Sequence, residues 1–300
     1  MKKNLLIYFA FTLFCTGNVF AQLINVNTYR FNAANTGPTG ITPTQLIGPN
    51  SDDVASAVTN IGFTFWFAGT AYTQFSVDEN GLMKLGGSAI VPEPVNNLAS
   101  ATNLPKIAPY WDDLATGTNG NVTYYLGGTA PSRILYVNWN VTVPKAPTGA
   151  ANAVFQVQLY EQGNIHFAFG PTYPAANAAG YSMGIGVSAS DWASVTVTGN
   201  TSATAVYGGT PNNSNTMTPG GGSVKRYQFG VDNTVPTITA ATIPNTAGIA
   251  NRTLTTTIAD QAGLPVSGIP TTGSFVPRIY YKKGVGGSWF STPGVLASGT

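Results

Sequence analysis

Apolar and polar residues alternate with a period of two along much of this chain. In "NIGFTFWFAGTAYTQFSVDENGLMKLGG" (60–87) the alternation breaks at Ala68-Gly69-Thr70 and again at Asp78-Glu79-Asn80-Gly81. Successive side chains of a strand point to opposite faces, so such runs read as half-buried strands, and Asn-Gly readily takes the positive φ of a tight turn. Three strands are expected there. "RILYVNWNVTV" (133–143) places Leu135, Val137, Trp139 and Val141 on one face and Asn138 and Asn140 on the other. "AVFQVQLYEQGNIHFAFG" (153–170) reads as a hairpin, with Phe155, Val157 and Leu159 alternating with Gln156, Gln158 and Tyr160 before Glu161-Gln162-Gly163-Asn164 reverses the chain. "SMGIGVSAS", "SVTVTG" and "KRYQFG" (225–230) add further strands. Residues 201–223, rich in Thr, Asn, Gly and Ser, read as a long surface loop.

A second unit is expected from 231 to 300. "VDNTVPTIT" opens it with an Asp-Asn-Thr turn and a Pro-led strand, and "RTLTTTIADQAG", "PRIYYKKG" and "GSWFSTPG" each supply one more. Four strands fall short of the roughly seven of an immunoglobulin-like sandwich. With no closing strand before Thr300, the chain is expected to be a fragment of a longer protein.

The N-terminus has a different pattern. Met1-Lys2-Lys3 precedes an apolar block from Leu5 to Phe14, and Val19-Phe20-Ala21 ends in the small residues of a signal-peptidase site. Residues 1–21 therefore read as a signal peptide, cleaved between Ala21 and Gln22. The block is shorter than the ~20 residues of a membrane span, and no later run of 18 apolar residues occurs. The chain is thus expected to be exported without membrane insertion. Cys15, the one cysteine, lies inside the leader behind a Phe14 that fits a lipobox poorly, so the exported chain has neither disulfides nor thiolate metal sites.

Composition sharpens the fold class. With 35 glycines, 20 prolines, only 8% charged residues and no sustained helical periodicity past the leader, the chain reads as all-β. Losing Lys2 and Lys3 takes 13 basic residues to 11, against 11 acidic ones, so the exported chain is formally neutral. It carries no basic footprint for nucleic acid or anionic lipid.

In order, "FTFWFAGTAYTQFSVDENGLMKLG", "LPKIAPYWDDL", "NVTYYLGG", "RILYVNWNVT", "FQVQLYEQGNIHFAFG" and "SMGIGVS" resemble a nidogen-type extracellular β-domain over roughly residues 55 to 190. The resemblance implies a strand ending in a Trp-Asp-Asp-like motif, a Val-x-Trp strand and the Phe-Gln-Val hairpin. It carries no known catalytic role for the two aspartates. The unit from 231 is similar to Ig-like modules strung along large exported proteins of the Bacteroidetes type, which commonly end in a type IX secretion sorting domain. The domain expectation is a signal peptide (1–21), a nidogen-like β-sandwich (22–230) and a truncated Ig-like β-sandwich (231–300).

Four patterns raise the question of chemistry. Asp112 and Asp113 are neighbours, so on a strand they point apart; they converge only if the chain turns there, which Pro109 and Leu114-Ala115-Thr116-Gly117 permit. The plainer reading is a strand-end brace, with Trp111 in the core and a carboxylate accepting backbone N–H groups. The sharper readings are a calcium site at Asp112 and Asp113, contact with a ligand, or acid/base catalysis. "GYSMG" (180–184) matches Gly-x-Ser-x-Gly, but the residues after Ser182 read as strand, and the chain's one histidine, His166, lies upstream on the hairpin. A serine without a base keeps its weak resting nucleophilicity. "GIGVSA" (184–189) lacks the helix N-terminus a pyrophosphate needs, and a lone His166 makes a poor transition-metal site. Finally, Tyr124, Tyr125, Tyr136, Tyr160, Tyr173 and Tyr181 include outward positions where aromatic rings can stack on sugars, beside Asn and Gln side chains that hydrogen-bond them.

The expected function is a non-catalytic recognition or adhesion module of a larger secreted or cell-surface bacterial protein. No cofactor is expected beyond the calcium question. The expected partner is a host or matrix protein, or a glycan. The alternative is the accessory, carbohydrate-binding head of an exported enzyme whose catalytic domain lies beyond residue 300. A third reading is a calcium-stiffened structural stalk.

Overall fold

A computed structural model describes residues 25–40, 42–170, 180–199, 202–219, 225–231, 237–239, 255–259, 278–282 and 287–293. The expected cleavage site, Ala21 and Gln22, lies outside the described residues, as does Tyr173. The chain divides into two compact units, one of which runs from Gln22 to Asp232.

That unit is a β-sandwich, so the chain is all-β. After a 3-10 turn at Val26–Thr28, fourteen strands build two antiparallel sheets of seven. In order of their pairing, the first sheet is β1 (Arg30–Ala34), β14 (Lys225–Gly230), β10 (Ile165–Phe169), β9 (Ala153–Tyr160), β8 (Ile134–Val141), β7 (Asn121–Gly127) and β2 (Thr44–Ile47). The second is β13 (Ala203–Tyr207), β12 (Trp192–Val197), β11 (Ser182–Gly186), β6 (Lys106–Trp111), β5 (Met83–Leu85), β4 (Thr70–Val77) and β3 (Thr59–Phe67). β3 with β4, β7 with β8, β9 with β10, β11 with β12 and β12 with β13 pair in sequence order through short connections, and the first strand closes against β14, with Arg30 opposite Gly230 and Ala34 opposite Arg226.

The period-two pattern becomes the core. Along β8 the four residues Leu135, Val137, Trp139 and Val141 are buried, and along β3 so are Ile61, Phe63, Phe65 and Phe67. Between the sheets, Trp139 stacks on Phe155 at 5.4 Å, Phe155 meets Tyr110 of the opposite sheet at 5.6 Å, and Phe75 meets Tyr124 at 6.0 Å. Each such aromatic removes on the order of 150–250 Å² from water. The two-residue turn between β3 and β4 uses Ala68 (φ 44°) and Gly69 (φ 80°), the left-handed pair that matches strand twist.

Two expectations change. The segment expected as a loop over 201–223 contains β13, whose Ala203, Ala205 and Tyr207 pack against the core while Thr204 and Val206 are exposed. Small residues and threonine hid a period-two strand inside a loop-like composition. The second change is on β9, where Gln156 and Gln158 point away from the core yet are fully buried. The segment at Thr39 crosses over them: Gln156 Oε1 accepts the Thr39 N–H at 3.2 Å and its Nε2 donates to the Thr39 carbonyl at 3.1 Å.

In the other unit the described residues form two antiparallel pairs, β15 (Thr237–Thr239) with β16 (Thr257–Ala259) and β17 (Arg278–Lys282) with β18 (Trp289–Pro293).

Candidate functional site

The Trp-Asp-Asp stretch ends β6. Trp111 is buried among Leu82, Ile90, Leu98 and Ala108, and its indole N–H donates to the Glu93 carbonyl at 2.7 Å. Beneath the indole lies a buried Lys106, whose Nζ donates to Ser100 Oγ at 2.6 Å and sits 5.0 Å from the Trp111 ring. Burial lowers its pKa to about 8. Beyond Trp111 the chain turns: the Asp112 N–H donates to the Asn80 carbonyl at 3.1 Å, and the Leu114 N–H to Asn80 Oδ1 at 2.8 Å.

This turn separates the two aspartates. Asp112 is buried, whereas the Asp113 side chain remains 45% exposed and joins Asp52 and Asp53, with carboxylate oxygens within 4.8 Å of one another. Among the described residues it is Asp113, not Asp112, that enters an acidic cluster. Lys145 Nζ stands 2.9 Å from Asp52 and 3.0 Å from Asp113. The hydrogen bond to Asp52, more than that to Asp113, holds the ammonium pKa above its ordinary value. Calcium takes six to eight oxygen ligands; here two of the three carboxylates already share a lysine.

Two further carboxylates lie buried in the β4–β5 turn. Asp78 Oδ1 accepts the Leu82 N–H at 3.0 Å and Oδ2 the Glu93 N–H at 3.4 Å, while Trp139 donates to the Asp78 carbonyl at 2.8 Å. Glu79 Oε2 accepts the Val54 N–H at 2.9 Å. Burial raises Asp78 well above the ordinary range and Glu79 to about 7. Each holds main-chain N–H groups of a neighbouring loop, which is the work of a brace.

Ser182 lies on β11, in one sheet, and His166 on β10, in the other. The Ser182 hydroxyl donates to Asn213 Oδ1 at 2.7 Å and accepts from Asn96 Nδ2 at 2.9 Å, an amide cradle without a base. His166 packs against Tyr160 with centroids 4.3 Å apart and the rings tilted by 50°, and burial, then the charge of Arg226, depresses its pKa to about 4. Gly184 serves strand packing: a Cβ there would lie 2.1 Å from the Ala193 carbonyl oxygen.

The tyrosines divide. Tyr181 is buried, stacks on Tyr110 at 3.9 Å and donates to the Met217 carbonyl at 2.8 Å; Tyr124 packs inward on Phe75. Tyr125, Tyr136 and Tyr160 face outward from the first sheet. The strand register sets Tyr125 opposite Tyr136, Tyr136 opposite Gln158, Gln158 opposite His166 and His166 opposite Gln228. Two residues along, Thr123 faces Asn138, and two further, Asn121 faces Asn140. Over the last two of these rows Pro38, Thr39, Gly40 and Pro43 form one wall of an open groove of about 560 Å³, floored by Asn121, Thr123, Asn138 and Asn140. The alternation of β8 signalled the outward asparagines; the overlying segment, more than 80 residues upstream, was not readable from it.

Residues 28–230 match the sequence profile of a family described as NIDO related. No curated protein and no solved structure matches the chain. Among the described residues no helix is long and apolar enough to cross a membrane.

Proposed function

The chain belongs to the NIDO-related family, and on that premise we propose that its β-sandwich is a non-catalytic extracellular recognition module of the adhesion type. It is delivered by the 1–21 leader, cleaved after Ala21, and carried on a secreted or cell-surface protein of Bacteroidetes type whose following unit is Ig-like. The observation that supports this reading is the outer face of the first sheet. There, uncharged amide, hydroxyl and aromatic side chains from β7, β8, β9, β10 and β14 stand in register, while Asp78, Glu79 and Ser182 are tied into backbone and amide contacts elsewhere. A surface that offers many neutral donors and acceptors on a rigid scaffold suits recognition; no nucleophile, base and orienter converge among the described residues.

The test is a binding screen of the purified exported chain against matrix proteins, neutral and acidic glycans, and host cells, with hydrolase assays run in parallel. Saturable binding to one of these, without turnover, is the expected result. Failure to bind any of them, or a hydrolytic activity lost in Ser182→Ala, overturns the reading.

A further inference from the structure

We infer that the groove between Pro38, Thr39, Gly40 and Pro43 on one side and strands β7 and β8 on the other binds a neutral oligosaccharide, which extends along the same face onto the adjoining Tyr125–Tyr136 pair. The inference rests on the recognition reading above and gives it a ligand.

Two cross-strand rungs floor the groove, Asn121 with Asn140 and Thr123 with Asn138, and a third, Tyr125 with Tyr136, continues the ladder beyond it on the same face. Successive rungs lie two residues apart along each strand, about 6.7 Å. One sugar ring cannot span all three, so the ladder offers at least two adjoining positions, and a disaccharide or longer chain is the smallest ligand that fills it.

The chemistry of the rungs selects the ligand. None of the described lining residues is ionisable, so a charged ligand meets no counter-charge. A fixed cation on this face, Arg226, stands opposite Ala168 beyond Gln156, where it donates to the Gly37 carbonyl at 3.2 Å. Each asparagine supplies both a donor and an acceptor, and so does each hydroxyl of a sugar. Among the described residues, no side chain of this chain hydrogen-bonds the side chains of Asn121, Asn138 or Asn140, unlike Gln156 beside them, whose amide is used up on Thr39. These three amides are half-buried and already aligned by the sheet, so little ordering entropy opposes their use.

The aromatic rung adjoins the groove on the same face. Tyr125 is 38% exposed and its ring lies 6.2 Å from that of Tyr136, tilted by 31°. The electron-rich ring faces attract the C–H-bearing face of a pyranose, leaving its equatorial hydroxyls for the flanking amides. The groove wall is fixed as well, since the Gln156 amide grips both the N–H and the carbonyl of Thr39.

The test is an array of neutral, sialylated and sulfated oligosaccharides probed with the exported chain, followed by titration calorimetry with the neutral hits. Three variants separate site from fold: Asn140→Ala, Asn140→Asp, which keeps the volume and adds charge, and Tyr136→Ala, all on the outer face. Binding confined to neutral chains of two or more sugars, weakened at least tenfold by each variant at unchanged melting temperature, is expected. Neutral-glycan binding that all three variants leave intact overturns the site. Binding only to acidic glycans, or only to a protein or cells, overturns the ligand while leaving the recognition reading standing. Binding to nothing overturns both.

Discussion

Asn80 accepts the main-chain N–H of Leu114 at 2.8 Å across 34 residues of chain, and its carbonyl takes the N–H of Asp112. The Asp-Glu-Asn-Gly turn and the Trp-Asp-Asp strand end are therefore one construction. Asn80 is fully buried, and its Nδ2 also reaches Asp53 Oδ1 at 3.2 Å. Replacing it with alanine leaves the Leu114 N–H buried without its acceptor, which costs about 1–3 kcal/mol. Asn80→Ala is expected to lower the urea-unfolding free energy by about 2 kcal/mol. A change too small to resolve means that the brace does not hold the turn.

Gly81 allows that turn to close. Its φ is +81°, and a Cβ would lie 1.9 Å from the Tyr110 carbonyl oxygen, which is backbone and cannot swing away. Gly208 has a similar φ of +69° with nothing within 4 Å. Gly208→Ala thus measures the left-handed strain alone, about 1–2 kcal/mol, while Gly81→Ala adds a steric clash. Gly81→Ala is expected to be the more damaging by at least about 2 kcal/mol or to abolish folding. Equal losses in denaturant unfolding contradict a close approach at Gly81.

How much of the fold is legible in the chain depends on the range of the interactions. The buried face of β8 and the β9–β10 hairpin were legible because period-two alternation is local. The strand β13 was not, since Ala203, Ala205 and Tyr207 declare an inward face only once β12 lies beside them. The burial of Gln156 depends on Thr39, 117 residues away, and the separation of Asp112 from Asp113 depends on Asn80 and the 52–53 loop. The tyrosines show both limits. Strand parity sets Tyr125 and Tyr136 outward, but Tyr181 stacks on Tyr110, whose position no local pattern fixes.

Lys145 fixes the expectation for calcium. Its ammonium already neutralises part of the Asp52, Asp53 and Asp113 cluster, so millimolar calcium is expected to leave the melting temperature within about 1–2 °C of its value in chelator. Lys145→Met removes the cation from Asp52 and Asp113 and leaves the three carboxylates together. That variant is expected to lose no more than about 1 kcal/mol, as exposed ion pairs do, and to gain a calcium-dependent rise in melting temperature. A rise of several degrees in the unsubstituted protein shows instead that calcium displaces the lysine and that Asp113 is a ligand.

Two buried groups give stability opposite pH dependences. Glu79 has its pKa raised by burial from 4.5 to about 7, so the fold favours its protonated form. Its contribution is complete below pH 4.5 and lost as pH rises through 7. His166 has its pKa lowered by burial from 6.5 to about 4, so the fold favours the neutral ring. That contribution is complete above pH 6.5 and lost as pH falls through 4. Each shift is worth at most about 3 kcal/mol across its window, and between pH 4.5 and 6.5 the two slopes oppose each other. Asp78, raised in the same direction as Glu79, adds to one side of the balance, so each variant is compared with the unsubstituted protein at every pH. Relative to it, Glu79→Gln is expected to gain stability as pH rises from 4.5 to 7, and His166→Gln to gain as pH falls from 6.5 to 4. Denaturant unfolding at five pH values measures both differences. Curves that run parallel to the unsubstituted protein mean that neither group changes its proton affinity on folding, and the braced turn at Glu79 then contributes through its Val54 hydrogen bond alone.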